Sequence, residues 1–177
     1  MIGIDIVDIN DFLLHPRTGE HMRFIKAKDD KYPKDIDPIL LFWIVWSAKE
    51  AIFKSKRQLK PFDPKLITVT FLHDLNFYSK QLTGSVEITS NYIVAIAAQK
   101  SMKLVNKIWM NNQKVCSQKS VRERIIEYFK PLNVKFTLDE NQLPLLYVSE
   151  GKKIPISLTH HGKYMGFCIE KDKILRY

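Results

Sequence analysis

Cysteine and glycine are both scarce, two and six in 177 residues. Cys116 and Cys168 have neither the density of a disulfide framework nor the paired spacing of a zinc site. This excludes cystine-stapled and zinc-finger folds and points to a reducing cytoplasm. Long hydrophobic runs are missing too. The longest, residues 39–46, falls well short of the roughly 20 apolar residues that cross a bilayer, so it is expected inside a buried helix and no membrane partner is implied. The opening Met1-Ile2-Gly3-Ile4-Asp5 has no basic leader region and carries an early acid, unlike a secretion signal. Acidic residues are the scarcer charge, 19 against 28 basic ones, for a formal charge of +9. Such a field draws nucleic acid, anionic membranes, phosphorylated cofactors or acidic proteins without choosing among them. A lysine-rich surface also serves solubility alone.

What is present is the make-up of a globular protein, 45% hydrophobic and 27% charged, in a chain long enough to bury a core. Residues 2–9 alternate as a strand: Ile2, Ile4 and Ile6 take one face, Gly3, Asp5 and Val7 the other. Asp5 is thereby expected on an open face, beside a glycine that permits close approach of a ligand. Asp29-Asp30-Lys31-Tyr32-Pro33 marks a loop. Pro38 opens a helix predicted to reach about residue 59, with Leu41, Val45, Ala48 and Ile52 at helical spacing. Strands are predicted over 67–72, 82–88 and 92–99.

Beyond Lys100 the pattern starts again. A strand over 104–110 precedes a helix capped by Ser117 or Ser120 and stopped by Pro131. Further strands are predicted over 134–138, 143–148, 154–158 and 164–170. Residues 91–100 and 163–172 are similar, each with an early Tyr, an apolar run and a polar finish. The expected fold is therefore α+β: two similar halves, 1–102 and 103–177, each with an antiparallel sheet and one long helix.

Trp46, Glu50 and Lys54 are spaced i, i+4, i+8 and share one stripe of the first helix. An isolated exposed Glu–Lys pair contributes only about 0.3–0.5 kcal/mol. Here the surrounding segment is too apolar for a solvent-facing helix, which puts the pair at the margin of a buried surface, and Asp5 supplies a second carboxylate. Two carboxylates without a His or Cys cluster suit Mg²⁺ better than zinc, with water and substrate phosphate completing the shell. Lys54 then neutralises charge on a phosphoryl group. Near the C-terminus, Ser157, Thr159, His160 and His161 stand before Gly162, a hydroxyl and imidazole cluster on a turn suited to cradling phosphate.

Gly3-Ile4-Asp5-Ile6-Val7-Asp8-Ile9, Trp46-Ser47-Ala48-Lys49-Glu50-Ala51-Ile52-Phe53-Lys54 and Ile156-Ser157-Leu158-Thr159-His160 together resemble the 4'-phosphopantetheinyl transferase superfamily. The second stretch resembles the family's W-x-x-K-E-A-x-x-K signature at every position. The first is similar to the G-x-D-I-V-E-I opening of the holo-acyl-carrier-protein synthase branch, and the third to the S-[LI]-S-H element, with Thr159 for Ser. The resemblance implies transfer of the phosphopantetheine arm of coenzyme A to a serine of an acyl or peptidyl carrier protein, releasing 3',5'-ADP. It implies that Asp5 and Glu50 hold Mg²⁺ and that Glu50 helps remove the serine proton. Lys54 would stabilise the departing phosphate, Thr159 and His160 would contact coenzyme A phosphates, and Lys49 would assist nearby. The carriers of such reactions are typically acidic, which suits a basic chain.

The departures from that pattern are specific. Val7 stands where one branch has another acid, leaving Asp8 a lesser candidate, and Asp11 replaces a common Arg. Gln142-Leu143-Pro144 lacks the Lys of a G-K-P element, and Ser55-Lys56-Arg57 replaces a Gly-rich turn. The S-H element also comes last, whereas in the two-half branch it comes first. A two-half chain in reverse order is expected, a monomer or small homo-oligomer with the site between its halves. The missing Arg and Lys also fit a family relative that binds coenzyme A or a carrier without transferring. Lys-rich stretches 54–60 and 100–119 could track nucleic-acid phosphates, but no nucleic-acid motif is found, so no such partner is expected. No motif marks the residues that would hold the nucleotide end; charge alone suggests Lys119, Arg122 and Arg124.

Overall fold

The computed structural model describes residues 1–14, 19–57, 60–111, 116–148 and 151–174. The first half runs β1 (Ile2–Asp8), α1 (Ile9–Leu14), α2 (Met22–Ile25), α3 (Pro38–Ser55), β2 (Thr70–Phe71), β3 (Asn76–Ser79), β4 (Leu82–Ile88) and β5 (Tyr92–Gln99). The second runs β6 (Leu104–Met110), α4 (Gln118–Tyr128), β7 (Lys135–Leu138), β8 (Pro144–Tyr147), β9 (Lys153–His161), β10 (Tyr164–Glu170) and α5 (Lys171–Ile174). The two sheets are antiparallel and five-stranded, ordered β1-β5-β4-β3-β2 and β6-β10-β9-β8-β7. In each the first strand lies beside the last and the main helix follows the first strand. This is one α+β topology used twice.

Local chemistry sets the helix that matters most. Asp37 accepts from the amides of Ile39 and Leu40 through Oδ1, and Pro38 stands at the first helical turn, where its missing N–H costs nothing. The helix ends at Ser55, with Arg57 at positive φ (49°); residues 58 and 59 of the predicted longer helix lie outside the described set. The predicted strand over 67–72 is confined to Thr70–Phe71, since a 3-10 turn at Pro64–Leu66, capped by Asp63, occupies the approach. β3 is a strand that sequence periodicity misses. It is only four residues long and follows two positive-φ residues, Asp74 and Leu75. No described helix is long and apolar enough to cross a membrane.

Each sheet packs against its own helix. Val45, Ala48 and Ile52 of α3 meet Val7, Ile93 and Ala95, while Val121 and Ile125 of α4 meet Ile154, Ile156 and Phe167. A third cluster joins the halves: Ile4, Ile6 and Val94 pack with Tyr164 and Cys168. Every residue of β1 is buried as a result. The open face expected for Asp5 does not exist, because α3 covers the odd side of the strand while the second half covers the even side. Gly3 is the condition for that cover: a Cβ there would collide with the Ala51 carbonyl oxygen of α3.

Candidate active site

The stripe on α3 forms as the spacing requires. Trp46 Nε1 donates to Glu50 Oε2 at 3.0 Å, and Lys54 Nζ lies 3.1 Å from Glu50 Oε1. Each carboxylate oxygen of Glu50 is thus engaged by its own neighbour, one turn earlier and one turn later. From β1, Asp5 Oδ1 accepts from the same Lys54 Nζ at 2.8 Å. One ammonium group is therefore shared by two carboxylates, Asp5 of β1, 49 residues away in sequence, and Glu50 of its own helix, 4 residues away.

Electrostatics follow from the burial. Asp5 is 5% exposed, and desolvation pushes its carboxyl up to about 6 against the pull of Lys54, with Glu50 adding to the rise. Desolvation opposes the charge on Lys54 as well, but the two carboxylates outweigh it and hold its pKa above the ordinary lysine value. His160 is shifted down, by desolvation first and then by the Lys54 charge. Its imidazole is therefore neutral at neutral pH.

The second half closes the site. Thr159 Oγ1 lies 3.3 Å from Asp5 Oδ1, and the amide of Ile6 donates to Thr159 Oγ1 at 2.9 Å. A pocket of about 410 Å³ opens between the halves, walled by Glu50, Lys54 and Arg57 on one side and Arg122, Pro144 and His160 on the other. A second pocket of about 310 Å³ is lined by Asp5, Trp43, Trp46, Glu50, His160 and His161. Glu50 and His160 line both pockets, Lys54 only the larger and Asp5 only the smaller. Asp5, Glu50, Lys54, Thr159 and His160 are thus brought to one place from both halves.

Lys49 is not brought there. It lies one residue, about 100°, around the helix from Glu50, is fully buried, and donates to Asp30 Oδ2 (2.6 Å), Ile25 O (2.7 Å) and Pro64 O (3.0 Å). Asp8, the lesser acidic candidate, accepts from the amide of Asn10, closing the local turn into α1, and from the amide of Lys163 in the turn between β9 and β10. Asp11, in place of the expected Arg, pairs with His161 Nε2 at 3.3 Å. Arg122 lines the larger pocket with its guanidinium 5.0 Å over the Phe136 ring, and its buried Nε has no hydrogen-bond partner among the described residues. Arg124 is exposed and Lys119 reaches only Glu123, at 3.9 Å.

One contact was invisible in the sequence. Arg57 Nη2 bonds Asp139 Oδ2 at 2.6 Å and Arg57 Nη1 donates to Pro144 O at 3.2 Å, a strut across the floor of the cleft. Arg57 drew notice as a departure from a Gly-rich turn, but nothing near Asp139 announces a partner 82 residues away.

Among the described residues no cluster of three His, Cys, Asp or Glu side chains forms a metal cage. The fit of a divalent cation rests on the pair itself. Two carboxylates converge on a single cationic group, Lys54 Nζ, and no thiol is among the donors. That oxygen set suits a hard ion that keeps waters and takes substrate oxygens.

No significant match was found among curated proteins or among solved structures. The family model described as 4'-phosphopantetheinyl transferase superfamily matches residues 1–97, more than half of the chain and the part that carries Asp5, Glu50 and Lys54. The chain belongs to the 4'-phosphopantetheinyl transferase superfamily.

Proposed function

We propose that the chain transfers the 4'-phosphopantetheine arm of coenzyme A to a serine of an acyl or peptidyl carrier protein and requires Mg²⁺. The position of Glu50 supports this reading best: its carboxylate lines two adjoining pockets, one per substrate. The larger pocket carries Lys54, Arg57 and Arg122, a cationic lining for the nucleotide diphosphate. The smaller opens beside Asp5 and Trp43, where the acceptor serine would enter.

In the reaction the serine oxygen bonds to the pantetheine-side phosphorus as the bond to the 3',5'-ADP oxygen breaks. Glu50 takes the serine proton. The Trp46 N–H on Oε2 keeps Oε1 turned toward Lys54. Lys54, firmly charged between two carboxylates, neutralises the leaving phosphate. His160, neutral and at the wall of both pockets, donates to a phosphate oxygen. Asp5 and Glu50 would hold the cation, which when bound polarises the pyrophosphate and offsets its charge. Both sets of residues come from one chain, so a monomer suffices, and the +9 charge suits an acidic carrier.

Incubation with coenzyme A, Mg²⁺ and apo-carrier proteins, followed by mass spectrometry of the carrier, tests the proposal. The expected result is a mass gain of one phosphopantetheine, abolished by EDTA and by Glu50→Ala. Coenzyme A binding without mass gain on any carrier would instead assign a binding-only relative.

A further inference from the structure

β1 is the edge strand of its sheet and its ladder is with β5 alone, through the amides of Gly3, Asp5 and Val7. The amides of Ile4, Ile6 and Asp8 point the other way, into the second half. Ile4 is 0% exposed, Ile6 2% and Asp8 3%, so water cannot satisfy those amides. No backbone ladder meets them. Alternate side chains of β9 do: Ser157 Oγ accepts from Ile4 N at 3.0 Å, Thr159 Oγ1 from Ile6 N at 2.9 Å, and His161 Nδ1 from Asp8 N at 3.0 Å. The sequence separation is 153 in every case, so the two strands run in the same direction in a fixed register. The edge of one sheet is set against the face of the other.

The middle tooth of this comb differs from its neighbours. The Ile6 amide can only donate, so the Thr159 oxygen accepts there, and the ionised Asp5 carboxylate can only accept, so the single hydroxyl hydrogen goes to Asp5 Oδ1, 3.3 Å away. A buried hydroxyl, 3% exposed, with its hydrogen so committed has none left for a substrate phosphate. We propose that Thr159 is a positioning residue for Asp5 and not a phosphate contact. The second half, through Thr159, aims the carboxylate of the first half and holds its register. Ser157 performs the structural half of that task without touching Asp5.

This inference rests on the proposed metal role of Asp5, and the experiment separates the two. Mn²⁺ binding to the metal-free protein is titrated by electron paramagnetic resonance, with melting temperature and coenzyme A affinity in EDTA measured alongside. Thr159→Val should weaken Mn²⁺ about tenfold or more, the usual effect of removing an outer hydrogen bond to a ligand. Thr159→Ser, which keeps the hydroxyl, should restore the affinity to within about threefold of wild type. Ser157→Ala should lower the melting temperature but leave Mn²⁺ affinity within about twofold, because it loses only an amide partner. If Thr159→Val does not fold, Thr159→Cys replaces it, and its weak donor should give an affinity below that of the serine variant. Unchanged Mn²⁺ affinity in Thr159→Val or Thr159→Cys, with weakened coenzyme A binding, would overturn the positioning role and restore a phosphate contact. No Mn²⁺ binding by the wild-type protein would overturn the metal site itself, and this proposal with it.

Discussion

Replacing Lys49 by methionine keeps the length of the side chain and removes its charge from a site with 0% exposure. Three acceptors lose their donor at once: Asp30 Oδ2, Ile25 O and Pro64 O. Asp30 does not lose everything. The amides of Ala27 and Val69 and the hydroxyl of Tyr32 still donate to it, at 2.8, 2.8 and 2.7 Å. An uncompensated buried carboxylate nevertheless remains, and breaking such a pair costs about 3–5 kcal/mol. That is a large share of a typical stability of about 5–15 kcal/mol. For a chain of this size the melting temperature should fall by roughly 10 °C. Lys119→Met is the control, since its pair with Glu123 is 86% and 63% exposed and such pairs contribute about 0.5 kcal/mol or less. Urea titration of both variants reads the stability, and steady-state kinetics on the folded fraction reads the KM for coenzyme A. A Lys49→Met protein as stable as wild type with KM raised tenfold would refute the reasoning and return Lys49 to the substrate.

Asp139→Ala removes the carboxylate that braces Arg57 and also accepts from the amides of Asn141 and Leu143. The cleft floor should loosen, raising the KM for coenzyme A several-fold with kcat little changed, and Arg57→Ala combined with it should add almost nothing further. A separate expectation concerns pH. Folded Asp5 holds its proton to about 6, above the ordinary aspartate value of 3.8, so between those values the folded state binds more protons than the unfolded state. Stability of the metal-free protein should therefore fall as pH rises from about 4 to 6, by roughly 3 kcal/mol at most. Urea midpoints measured in EDTA across that range should show the slope in wild type and not in Asp5→Asn; equal slopes would place the proton elsewhere.

Much of this was legible because the signals are local. Hydrophobic period and turn residues give most strands to within a few residues, and the i, i+4, i+8 spacing of Trp46, Glu50 and Lys54 gives their contacts directly. What escaped depends on partners far along the chain. Asp5 reads as open to solvent because β1 alternates, yet its face of the strand is covered by α3, whose Ala51 carbonyl sits against Gly3 and whose Lys54 bonds Asp5. Lys49 follows the stripe in sequence but not in space, and its destination is fixed by Asp30, which sits in a loop with no periodicity at all. Thr159 reads as a phosphate-contact candidate because a hydroxyl before an imidazole and a glycine is a common cradle. Its contacts with the Ile6 amide and Asp5 depend on where the β1 edge lies, which no local signal near residue 159 reports.

The repeated topology explains why the site can be asymmetric. Two copies of one sheet each supply an edge strand and a helix, but a single centre needs carboxylates from only one of them. The first copy keeps them, on an 18-residue helix and on β1, while the second has an 11-residue helix with Gln118 and Arg122 turned to the cleft. In the second copy β9 closes the edge of the first, through Ser157, Thr159 and His161. That division removes an exposed strand edge, which would otherwise invite pairing with another chain, and makes the geometry at Asp5 depend on contact between the halves.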